Sequence, residues 1–165
     1  MNYTRRVLAL GLLAAGFALA QAPATAVLAV EGDVPMALSL SADDLAKMPR
    51  ETATIPAPDG SKIVYEGVTL RAVLEKAGAP FGKKLRGKVL TTYVLAKAMD
   101  GYQVIFTLGE IDPDFGNETI LLADKRDGKP LSDKQGPFRL VCPNDHEGAR
   151  SIRMLQTLEV VRLAK

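Results

Sequence analysis

The sequence predicts an α+β fold: a mixed, mostly antiparallel sheet with short helices. Two observations carry that prediction. Short runs of alternating or continuous apolar residues are joined by Asp-Gly turns at Asp59-Gly60, Asp100-Gly101 and Asp127-Gly128, a strong hairpin signal. Only two or three short helical patterns interrupt them, too few for an alternating β-α-β arrangement.

The elements follow in chain order. Val34 to Leu40 alternates as a strand. Ser41 then caps a helix over Ala42 to Met48, with Asp43 and Asp44 in the first turn, where the helix dipole favours anions. Thr52 to Ile55 and Lys62 to Tyr65 flank the Asp59-Gly60 turn as two strands. Thr69 is a good N-cap for a helix to Ala77; Leu70, Val73 and Leu74 share one face, and Gly78 stops it. Phe81 to Leu90 fits neither period. Strands are then expected over Thr92 to Ala98, Tyr102 to Leu108, Thr119 to Ala123, Gly136 to Cys142 and Leu158 to Leu163.

Residues 1–20 read as an export signal. Arg5 and Arg6 precede an uncharged run, Val7 to Ala20, which is shorter than the roughly 20 residues of a membrane span. Small residues at Ala18 and Ala20 place cleavage before Gln21, with a second choice before Val27; Thr4-Arg5-Arg6-Val7-Leu8 partly matches a twin-arginine signal. The expected product is an exported protein with no membrane span, periplasmic in a bacterium, and residues 27–165 form its one domain. Among 165 residues there are 21 basic and 19 acidic ones, so loss of Arg5 and Arg6 leaves 19 of each. A neutral chain without tryptophan or a basic stripe is not built for nucleic acid. One cysteine permits no internal disulfide, and one histidine excludes multi-histidine metal sites.

Five segments, in order, resemble the sulfite-oxidase-type molybdopterin-binding domain. They are Tyr65-Glu66-Gly67-Val68-Thr69-Leu70-Arg71-Ala72-Val73-Leu74; Asp100-Gly101-Tyr102; Leu121 to Asp124 with Gly128-Lys129-Pro130-Leu131; Gly136-Pro137-Phe138-Arg139-Leu140-Val141-Cys142-Pro143; and Arg150-Ser151-Ile152-Arg153 with Leu158-Glu159-Val160. The chain is most similar to short exported members of that superfamily. The resemblance implies a molybdopterin cofactor, held in catalytic relatives by a cysteine thiolate upstream of the aromatic-x-Gly-Val block. Here Glu51 to Ile63 contains no cysteine, and Thr52 or Thr54 offers only a hydroxyl, a poor substitute for a soft thiolate. Cys142 lies in an apolar strand and reads as a small core residue.

The resemblance also implies that the closing loop holds an anionic pterin tail. Arg150, Ser151, Arg153 and His146 are therefore the candidate cofactor-binding residues, and two guanidinium groups beside a hydroxyl suit a phosphate or carboxylate. A solvated turn closing the last strand accounts for the same residues. Asp112, Asp114, Asn117 and Glu118 gather oxygen ligands, but Pro113 and Gly116 explain the segment as a turn, without calcium. The basic run Gly82 to Lys88 reads as a solvated face. No catalytic residue and no metal ligand is assigned. Two functions remain: a noncatalytic module that binds a small anion or a periplasmic protein partner, and a molybdenum-pterin oxidoreductase or its accessory subunit.

Overall fold

A computed structural model describes residues 26–163, so the expected export signal lies outside the described residues. Ten strands form two sheets. In the first, β1 (Val27–Gly32), β2 (Leu38–Ser41), β5 (Thr92–Ala98), β6 (Gln103–Thr107) and β10 (Leu155–Arg162) run in the order β2-β1-β10-β5-β6. Only the β1–β10 pairing in this sheet is parallel. The second sheet has the order β3-β4-β7-β8, from β3 (Glu51–Pro56), β4 (Lys62–Thr69), β7 (Leu121–Arg126) and β8 (Lys129–Pro130), and β9 (Arg139–Val141) also pairs with β7. The helices are α1 (Ala42–Ala46), α2 (Leu70–Lys76) and α3 (Leu108–Ile111).

The alternation of β5 is translated directly into packing. Thr92, Val94, Ala96 and Ala98 are buried, while Tyr93, Leu95 and Lys97 are half-exposed. Val94, Ala96 and Ala98 join Leu28 and Val30 of β1, Phe106 of β6 and Leu158 and Val160 of β10. The same core contains Val68, Leu122 and Leu140 from the second sheet and Leu70, Val73 and Leu74 from α2. A smaller cluster, Ala53, Tyr65, Leu121, Ala123 and Val141, is built on the second sheet with Ile55, Ile63 and Leu131 packed against it. Gly67 permits the close approach of β4 to β7, where a Cβ would run into the Leu122 carbonyl oxygen.

Several element boundaries differ from expectation, each for a local reason. The strand expected over Val34 to Leu40 is confined to Leu38–Ser41, because the chain turns at Gly32 (φ 91°), and Pro35 has no amide to give a ladder. In addition, β1 was not expected, since its parallel partner β10 lies far along the chain. α1 stops at Ala46. Thr107 ends β6 early by capping α3 through a reciprocal Thr-x-x-Glu box with Glu110. β7 is shifted to Leu121–Arg126, and β9 keeps only Arg139–Val141. β10 starts at Leu155. The stretch 81–90 becomes two tight 3-10 turns, Gly82–Lys84 and Gly87–Thr91. By contrast α2 forms with the Thr69 hydroxyl accepting from the Ala72 amide and with Gly78 at φ 86°. The Asp59-Gly60 hairpin also forms, pairing Pro56 with Lys62.

Candidate functional site

The closing loop, between β9 and β10, lies beside the β5–β6 turn. The Tyr102 hydroxyl donates to the Ala149 carbonyl at 3.0 Å, tying turn to loop. Between them is a cleft of about 240 Å³ lined by Asp100, Tyr102, Gly148, Ala149, Ser151, Ile152 and Arg153. Of the four residues singled out in the sequence, two reach this cleft: Ser151 and the exposed Arg153. His146 is exposed on the loop outside the cleft.

Arg150 is used differently. Its Nε and Nη2 donate to the two Asp145 carboxylate oxygens at 2.8 and 2.7 Å, and its Nη1 donates to Glu110 Oε1 at 2.7 Å. The guanidinium also sits over the Phe106 ring, 5.2 Å from its centroid. These charge-assisted bonds hold the Asp145 carboxyl below the ordinary carboxylate range. Arg150 therefore fastens the loop to α3, and Arg153 is the arginine that faces the cleft. Ser151 anchors its own loop: its Oγ accepts from the Cys142 amide at 3.0 Å.

Arg139 was overlooked as a site residue. It is 7% exposed, and its register partner Ala123 places it on the Tyr65 side of the second sheet. Nη1 donates to Tyr65 Oη at 2.7 Å, and the guanidinium lies over that ring, 4.6 Å from its centroid. Nη2 donates to the Ser151 carbonyl at 3.3 Å, while Nε is buried without a partner. The available signal was an arginine between Phe138 and Leu140, where arginine is rarely buried unless it is paired.

The acidic segment read as a turn has its carboxylate Asp112 occupied by backbone amides. Asp112 is buried and accepts from the Gly82 amide at 2.5 Å and the Asp114 amide at 2.8 Å. Among the described residues, no group of three His, Cys, Asp or Glu side chains is placed to hold a metal ion. Nor is any described helix long and apolar enough to cross a membrane.

One mixed and one antiparallel sheet, with a closing loop whose cleft carries Arg153 and Asp100, define an α+β domain. The family model for the oxidoreductase molybdopterin binding domain matches residues 17–164, and the chain belongs to that family. A solved structure, the sulfane dehydrogenase SoxCD from Paracoccus pantotrophus, is similar at a TM-score of 0.60 and 22% identity; the match covers 82% of this chain and 38% of that one. That likeness establishes the fold, and this chain spans well under half the length of its relative. No curated protein matches.

The donor set does not fit the metal implied by the family resemblance. Thr52 and Thr54 are exposed hydroxyls on β3, and the chain's one cysteine is elsewhere. Burial pushes the Cys142 thiol up to about 12, aided by the neighbouring Asp145 carboxylate, so it is not a ready thiolate. Ser151 and Arg153 are suited to an anionic group but supply no soft ligand.

Proposed function

We propose that this chain is an exported, noncatalytic binding module of the molybdopterin-binding family. Its cleft takes a small anionic ligand, or an anionic group on a periplasmic protein partner, through Arg153, the Ser151 hydroxyl and the amides of the closing loop. Arg150 acts indirectly, by holding the loop in place. The observation that supports this reading is the residue set: Ser151 and Arg153 line the closing-loop cleft, and residues 51–63 contain no cysteine. A guanidinium at a partly enclosed rim binds an oxyanion through paired charge-assisted hydrogen bonds.

Two measurements test the proposal. Metal analysis of protein purified from its native host should find molybdenum far below one atom per chain; near-stoichiometric molybdenum would restore the oxidoreductase reading. Inorganic phosphate or sulfate should raise the melting temperature, and Arg153→Gln should abolish that rise. Loss of one charge-assisted bond corresponds to about 10- to 100-fold in affinity. Export has its own check, because the mature protein should begin at or after Gln21, and an intact Met1 terminus on secreted material would refute it.

A further inference from the structure

Arg139 is a buried cation with no carboxylate partner among the described residues. Its bonded acceptors are all neutral: the Tyr65 hydroxyl, the Ser151 carbonyl and, at 3.4 Å, the Gln135 side-chain oxygen. Five other described arginines, at 50, 71, 126, 150 and 162, each hold a carboxylate. Burying a charge without a counter-charge is unfavourable. Burial holds the Arg139 guanidinium below its ordinary pKa, and the nearby positive charges of Arg153 and Arg126 push the same way. Ser151 links this buried cation to the cleft, because its carbonyl accepts from Arg139 while the residue itself lines the cleft with Arg153. The carboxylate that lines the cleft, Asp100, already accepts the Tyr102 amide at 3.0 Å.

We infer that Arg139 is the second cation of the anion cleft. Arg153 at the rim and Arg139 behind Ser151 together select a doubly charged tetrahedral oxyanion, of the phosphate or sulfate class, over a monocarboxylate. Arg153 touches the anion, whereas Arg139 acts through its field, which the protein interior screens far less than water does. Arg139 is thus a specificity-determining residue. The inference rests on the anion-binding reading above and adds the charge class of the ligand.

The test compares sulfate with acetate at equal ionic strength, by thermal shift and titration calorimetry. Wild type should bind sulfate at least about tenfold more tightly than acetate. Arg139→Gln should remove that preference while leaving the protein as stable or more stable in sulfate-free buffer, because an unbalanced buried charge is gone. A merely structural Arg139 gives the opposite pattern: the variant loses stability at every anion concentration, keeps the sulfate preference, and overturns the inference. Should Arg139→Gln not fold, Tyr65→Phe decides. It removes a neutral acceptor but keeps the charge, so the sulfate-dependent rise in melting temperature should grow; an unchanged rise overturns the inference. Equal binding of sulfate and acetate by wild type, with loss of both in Arg153→Gln, refutes the role of Arg139 and leaves the cleft reading intact. No response of wild type to any anion refutes both.

Discussion

Arg150, in the closing loop, and Arg139, on the strand that leads into it, are treated in opposite ways. Arg150 is half-exposed yet has two carboxylates and an aromatic ring around it. Arg139 is almost fully buried and has an aromatic ring but, among the described residues, no carboxylate. The arginine that looked free in the sequence is saturated, and the one inside an apolar strand is not. A saturated guanidinium contributes order to a loop; an unbalanced one contributes a field. Solvent can compensate the first but has little access to the second.

The comparison can be broken at its base by Tyr65→Ala. Tyr65 is 1% exposed and supplies both the ring beneath Arg139 and the nearest acceptor for it. Truncation should cost about 3–5 kcal/mol in urea unfolding, and a loss under 1 kcal/mol would mean that Arg139 is not held there.

Cys142 joins the two regions, since its amide bonds Ser151 and its thiol senses Asp145 and Arg150. Cys142→Ser should cost about 1–3 kcal/mol, because a buried hydroxyl is harder to take out of water than a thiol, and Cys142→Val should be nearly neutral. The native thiol, with a pKa of about 12, should react slowly with a thiol reagent at pH 8. Rapid labelling would show that the strand end is open.

Arg150→Gln is the mildest of the three. With both partners partly exposed to solvent, its cost should be about 1–2 kcal/mol at neutral pH. Asp145 has a depressed pKa in the folded state, so this contribution is present above the unfolded carboxylate pKa of about 3.9 and is lost as pH falls through the lower folded value. The stability gap between wild type and Arg150→Gln should therefore be full at pH 6 and close in strong acid. A gap that does not change with pH would deny Asp145 its role.

The parts of the fold that could be seen in advance are those controlled by neighbouring residues. Thr69 caps α2 and Gly78 ends it within a single short stretch. Asp59-Gly60 turns one hairpin by the same local logic. The box at Thr107 and Glu110 was equally local and was missed, because the apolar run through Leu108 read as strand. β1 was hidden for another reason: its parallel partner β10 begins at Leu155, far along the chain, and no local pattern announces such a pairing.

The site divides along the same line. Ser151 and Arg153 could be picked out as neighbours on one polar loop, because two positions of separation determine a shared turn. The fate of Arg150 depended on Asp145, 5 positions away, and Glu110, 40 positions away. That of Arg139 depended on Tyr65, 74 positions away. By itself the sequence determined the fold class, the family segments and the absence of a cysteine upstream of Tyr65, all of which are written in residue type and order. Which arginines are neutralised, and therefore where positive charge is left at the cleft, was decided only by tertiary structure. Coulombic compensation depends on distance in space and on exclusion of water, and neither is a property of the order of residues along the chain.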